Sequence, residues 1–217
     1  MELGFAADAM TTISLPDFPP GAFTRVDEGD DADFYAPPRL VTHIDDTAIA
    51  ALGDFYGRML TPGGTVLDLM SSWVSHLPGD LPLAEVIGQG MNAAELAANP
   101  RLTSRFVQDL NREPVLSLGD ASCDAALCCA SVQYLQRPVE VFAEVRRVLR
   151  PGSPFIVSFS NRCFPTKAVA IWRSLDLNGH ASLVHAYMTK AGFPEITARL
   201  LVDGHYSDPL VAVIGAA

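Results

Sequence analysis

Residues 122–161 read SCDAALCCASVQYLQRPVEVFAEVRRVLRPGSPFIVSFSN. The run CDAALCCASV is apolar almost throughout, the pattern of a strand buried on both faces. PVEVFAEVRRVLRPG then repeats with helical spacing: Phe142, Val145, Val148 and Leu149 fall on one face, Pro138 suits the first turn and Gly152 the exit. PFIVSFSN is a further apolar strand. A strand, a helix of this length and another strand make a crossover unit, and such a unit joins parallel strands.

The same alternation extends in both directions. TVLDLM, AEVIGQG and SRFVQDL read as three earlier strands, with a brief helix expected around Ser72 to Leu77 and another over NAAELAAN. Before them, HIDDTAIAALGDFYGRML predicts a helix capped by Asp45 or Asp46, with Ile49, Leu52, Tyr56, Met59 and Leu60 as its apolar stripe. After the fifth strand, TKAVAIWRSL and GHASLVHAYMTKAG read as helices. EITARLLVD and DPLVAVIGAA read as two strands joined by Gly204 and Asp208-Pro209, with no helix between them, so this last pair must be antiparallel. The expectation is an α/β protein with a doubly wound, mostly parallel sheet of seven strands and a C-terminal antiparallel hairpin. We expect a single domain over residues 1–217: an irregular, Pro- and Asp-rich arm or lid over 1–38, a first helix region over 39–64 and the α/β core over 65–217.

The 217 residues are 49% hydrophobic, enough for a full core, and the net charge is −10. That charge argues against nucleic acid and against an anionic membrane surface, both of which need a basic face. No signal peptide and no spanning segment is read. The four cysteines, Cys123, Cys128, Cys129 and Cys163, form no CxxC pair, so no metal site is expected, and reduced thiols in a cytoplasmic protein are the reading. Within the apolar run, strand geometry splays alternate cysteine side chains to opposite faces.

The stretch VLDLMSSWVSH, from Val66 to His76, reads as a strand ending in the acid Asp68 and a polar turn after it. Together with the segment 122–161, its RVLRPG turn and the closing hairpin, it resembles the class I S-adenosylmethionine-dependent methyltransferases, of the small-molecule, type 11-like kind. The resemblance runs from about Thr65 to the C-terminus. FVQDLN matches the end of the family's third strand. Two positions depart from the pattern. The family's first motif continues with three alternating glycines, where this chain has Met70, Ser72 and Val74; and the acid that ends the family's second strand is replaced by Gly90. Glycine in such a turn permits positive φ and close approach of backbone to a phosphate. The ligand implied here carries no phosphate at that end. Ser71 or Ser72 can cap a short helix or bond a carboxylate, and Trp73 can face a sulfonium or pack in the core.

The resemblance implies a cofactor site of Asp68, Met70, Ser71, Ser72 and Trp73 after the first strand. Gly90, Met91 and Asn92 continue it after the second, Gln108, Asp109 and Leu110 after the third, and Cys129, Ala130, Ser131 and Tyr134 after the fourth. Asp68 would receive the ammonium and Asp109 the adenine amino group. Asn92 would meet ribose, cap the next helix, or do both. Tyr35, Arg39 and His43 precede the first long helix, where Tyr35 would cover the sulfonium and Arg39 bind a carboxylate of cofactor or substrate. His43 and His76 are the candidate general bases, with Tyr35 beside them. Asn161, Arg162 and Cys163 are expected on the substrate side. Cys128 and Cys129 read as small hydrophobes, and His180 and His185 as structural. The function implied is methyl transfer to a small acceptor, a thiol, sulfide or other soft nucleophile. The alternative is a catalytically inactive binding module on the same fold.

Overall fold

The computed structural model describes residues 18–217. The first seventeen residues of the expected arm lie outside that range. The elements run α1 (Asp31–Tyr35), α2 (Asp46–Met59), β1 (Thr65–Leu69), β2 (Glu85–Gly90), α3 (Ala93–Ala98), β3 (Ser104–Val107) and β4 (Ala125–Cys129). A single 3-10 turn (Val132–Tyr134) follows, then α4 (Pro138–Val148), β5 (Pro154–Phe159), α5 (Ala170–Arg173), α6 (Leu177–Lys190), β6 (Glu195–Val202) and β7 (Leu210–Ala216).

One seven-stranded sheet has the order β3-β2-β1-β4-β5-β7-β6. β3, β2, β1, β4 and β5 pair in parallel, and β7 lies antiparallel to both β5 and β6. The chain winds outward from β1 in two directions, so its strand ends diverge between β1 and β4, where α/β sheets open a crevice.

Period-two alternation sorts the strand residues between two cores. Leu67, Leu69, Ala126, Cys128, Phe155 and Val157 pack with Phe142, Val145 and Tyr187 of α4 and α6. Val66, Ala125, Leu127 and Ile156 pack with Leu52, Phe55 and Tyr56 of α2 on the other face. Cys128 and Cys129 therefore point to opposite sides of β4, as strand geometry requires. All four cysteines are free thiols.

Asp45 is the cap of α2, its carboxylate accepting from the Ala48 amide, and Gly152 takes φ +78° at the exit after α4. Elsewhere tertiary bonds overrule the local pattern. No helix forms between Ser72 and Leu77. Met70 and His76 take positive φ, the Ser71 amide bonds the Gln89 carbonyl, and Asn99 donates to the Ser72 carbonyl and Ser75 Oγ. Ser71 and Ser72 thus cap nothing. β4 ends at Cys129 because Ala130 turns to φ 51°. The helix expected over 166–175 shrinks to the one turn of α5, since Lys167 is fully buried and reaches back to the Gly29 carbonyl, Asp27 and Asp31.

The described part of the arm is more regular than its composition suggests. Asp30 caps α1, and the Arg25 guanidinium holds the Asp31 carboxylate through both oxygens at 2.7 and 2.8 Å. Backbone bonds from Asp27 to Thr166, and from Ala170 and Ile171 to Thr24 and Ala22, fasten the arm beside α5.

Candidate active site

A cleft of about 130 Å³ opens at the carboxyl ends of β1, β2, β3 and β4, beneath α1 and the linker to α2. Of the residues expected in the cofactor site, all line it: the five after β1, the three after β2, the three after β3 and the four after β4. Tyr35, Arg39, His43 and His76 line it as well. Asn161, Arg162 and Cys163 do not line it. Arg162 turns away to Asp208, with which it forms an ion pair at 2.8 Å. In their place Phe164 reaches the cleft.

The floor is built around Asp68. It is 3% exposed, and Ser71 Oγ and Ser75 Oγ donate to its Oδ2 at 2.6 and 2.5 Å. Among the described residues none donates to Oδ1, and no cation pairs with the carboxylate. Burial pushes its pKa up to about 6, against the pull of the two serines. The site therefore holds a buried carboxylate for which the described residues supply no counter-charge.

The turn after β1 keeps the backbone shape that glycine would favour, without glycine. Met70 has φ 54° and His76 φ 55°, conformations that cost a non-glycine residue about 1–3 kcal/mol each. Gln89 holds Met70 in place: its side chain accepts from the Met70 amide at 2.9 Å and is itself anchored by donating to the Gln108 carbonyl at 2.7 Å. The turn also lies down on β2. A Cβ at residue 90 would stand 2.3 Å from the Ser71 carbonyl oxygen. The glycine at 90 thus has a geometric reason: the turn occupies the space that a side chain there would need.

The second wall is made by polar groups already in use. The Asn92 side chain caps α3 by accepting from Ala94 and Glu95, and donates to the carbonyls of Tyr35 and Ala36. All four of its hydrogen-bonding positions are filled, so it is a cap and a tether for α1, with no group left for ribose. Gln108 donates to the carbonyls of Glu113 and Val115. Glu95 is a further carboxylate in the cleft wall. Its two oxygens accept from Ser72 Oγ and from the Arg39 amide, each at 2.6 Å, which leaves each oxygen one further lone pair.

Over the cleft, Trp73 Nε1 donates to the Val41 carbonyl at 3.0 Å. The indole is half-exposed in the cleft wall and belongs to neither core, which overturns the core-packing alternative. Burial and the neighbouring His43 lower the His76 pKa to about 4, and its Nδ1 is buried with no partner. Burial lowers His43 also, so both imidazoles are neutral at pH 7. The thiols of Cys128 and Cys129 are pushed up to about 12 by burial, which keeps them protonated and unreactive. Burial raises the Tyr35 phenol above its usual range, so it too stays neutral. Among the described residues no group of His, Cys, Asp and Glu is arranged to hold a metal ion.

The family model described as a methyltransferase domain matches residues 80–157. The sheet also superposes on an S-adenosylmethionine-dependent methyltransferase from Mesorhizobium loti with a TM-score of 0.55 at 16% identity, covering 77% of this chain and 98% of that one. The chain has the fold of the class I S-adenosylmethionine-dependent methyltransferases. A phosphoethanolamine N-methyltransferase from Haemonchus contortus, solved with S-adenosyl-L-methionine, shares this class I fold with a TM-score of 0.56 at 12% identity, over 77% of this chain and 52% of that one. In sequence, a malonyl-[acyl-carrier protein] O-methyltransferase from a Marinomonas strain is 32% identical over 73 residues, 34% of this chain. The match spans about a quarter of that relative, 26% of its length.

Sequence reasoning missed Gln89, Ser75, Glu95 and Phe164. Gln89 carried a signal: a lone polar side chain inside an apolar strand has to find partners, and here it finds both neighbouring strand ends. Glu95 carried one too, three residues after the capping Asn92, the spacing of a capping box.

Proposed function

We propose that this protein is an S-adenosylmethionine-dependent methyltransferase acting on a small molecule. The observation that carries this reading is Asp68: a buried carboxylate without a cation, at the crevice between β1 and β4, on a fold shared with enzymes of that class. An ammonium of the cofactor's amino-acid end would be its missing partner. Glu95 would accept from a ribose hydroxyl in place of the lost acid after β2. Asp109 would accept from the adenine amino group, and Trp73 would present its face to the sulfonium.

When bound, S-adenosylmethionine supplies a methyl group on a cationic sulfur, displaced in line by the acceptor's lone pair. The residues of the chain orient the reactants and exclude water. A soft acceptor, a thiol or sulfide, fits a cleft with no acid–base dyad. A thiol would react as its thiolate, with no proton left to remove during the transfer, and the neutral imidazoles of His43 and His76 would serve to orient the acceptor. No inserted substrate domain interrupts the strands, which favours a small acceptor. We further take residues 1–217 as a single domain; of the arm's described part, Asp31 and Tyr35 line the site. Four free thiols and the negative charge support a cytoplasmic protein that binds neither nucleic acid nor membrane. No helix among the described residues is long and apolar enough to cross a membrane.

Trp73 provides the test. It is the tryptophan in the cleft, while Trp172 is buried in the core. Adding S-adenosylhomocysteine should change the Trp73 emission saturably, and the Trp73→Phe protein should lose that change. Saturable binding with no methyl transferred to any acceptor would favour the inactive binding module; no binding at all would contradict the proposal.

A further inference from the structure

Arg39 is the only arginine or lysine among the described residues that lines the cleft. Its guanidinium lies 4.5 Å from the Phe34 ring centroid and 5.6 Å from that of Phe164. Nη2 donates to the Phe34 carbonyl at 2.9 Å, while Nη1 is buried and has no acceptor. No described carboxylate forms an ion pair with it. Glu95, an acid in the cleft wall, offers its oxygens to the Arg39 backbone amide and to Ser72 instead. Asp31 is already neutralised by Arg25 and Lys167. A buried donor on a charged group without an acceptor is costly and uncommon, and calls for a partner. Here the Phe34 and Phe164 rings lie against the guanidinium, and its Nη1 edge is left without an acceptor.

We propose that this edge of Arg39 binds a carboxylate on the methyl acceptor, so that the acceptor is an organic acid. This deepens the methyltransferase reading and rests on it. Two parallel N–H groups match the two oxygens of a carboxylate. A single cation without further donors is a poor match for a phosphate dianion. The place also favours acceptor over cofactor. Phe164 follows β5, on the far side of β4 from the turn at Asp68, where the amino-acid end of the cofactor would sit. Neutral His43 packs edge-on against the same Phe164 ring at 5.4 Å, within reach of an acceptor held there.

Matched acid and amide pairs test the proposal: 3-mercaptopropanoate, benzoate and hexanoate, each against its amide. Binding is measured by calorimetry on the wild type and on Arg39→Gln and Arg39→Lys, with and without S-adenosylhomocysteine. At least one acid should bind the wild type tenfold or more tightly than its amide. Arg39→Gln should abolish that preference, Arg39→Lys should keep part of it, and the affinity for S-adenosylhomocysteine should change less than twofold. Equal binding of acid and amide in every pair would overturn the proposal. So would a tenfold loss of S-adenosylhomocysteine affinity in Arg39→Gln, which would assign Arg39 to the cofactor. If the wild type takes up no S-adenosylhomocysteine, the methyltransferase reading fails, and the pairs measured on the free protein still decide on Arg39.

Discussion

Asp68 has two serine hydroxyls as its donors and, among the described residues, no cation paired with it. Raising its pKa from 3.8 to about 6 costs the ionised, folded state about 3 kcal/mol at neutral pH. The sign follows from proton binding. Between pH 4 and 6 the folded chain holds the Asp68 proton more tightly than the unfolded chain does, so this residue's contribution to stability falls as pH rises through that window. Asp68→Asn should therefore raise the melting temperature at pH 7.5, and the gain should shrink towards pH 4. The same substitution should weaken S-adenosylmethionine tenfold or more, since a charge-assisted bond is worth about 1.5–3 kcal/mol. Asp109→Asn, which would touch only the neutral adenine rim, should cost less. A proton-linked affinity follows too. Below about pH 6, the affinity of the wild type should fall by up to tenfold per pH unit, as Asp68 loses its charge. Isothermal titrations from pH 5 to 8 would read this, and a flat profile would mean that the Asp68 charge takes no part.

The turn from Met70 to His76 and the end of β2 form a single packed element. Gly90→Ala places a Cβ 2.3 Å from the Ser71 carbonyl, and backbone cannot yield as a side-chain tip can. Overpacking of this kind typically costs about 1–3 kcal/mol, and denaturant unfolding should show it. The turn should lift as well, lowering cofactor affinity along with stability. Trp73→Leu should behave differently. Its indole lies in the cleft wall and ties the turn to Val41, so the melting temperature should drop little, while S-adenosylmethionine weakens more than its neutral thioether product. Equal weakening of the two ligands would show that the indole does not face the sulfonium. These elements mark where sequence reading stopped. Polar spacing suggested a helix after Ser72, but the bonds that replace it come from Gln89 and Asn99, residues 19 and 27 positions from their partners in the turn. Nothing local in MSSWVSH announces them.

Across the whole molecule, the sheet was legible because each strand's apolar run and each helix's period were strong and local. β4, α4 and β5 alone imply a parallel crossover, and the lack of a helix between β6 and β7 implies the hairpin. The cleft was legible because the connections of such a sheet must part at its switch point, here between β1 and β4. The orientation of side chains within it was not. Arg162 looked equal to Arg39 as a substrate-side cation, yet Asp208, 46 residues further along, claims it. On the proposed reading, the unmatched charge of Asp68 marks a cofactor site that works despite a turn without glycine. Calorimetric titration of S-adenosylmethionine into the wild type and Asp68→Asn proteins at pH 7.5 tests it most directly. Saturable one-to-one binding to the wild type is expected, weakened at least tenfold in a variant that melts at a higher temperature. No heat from the wild type at millimolar ligand, or equal affinity in the two proteins, would contradict it.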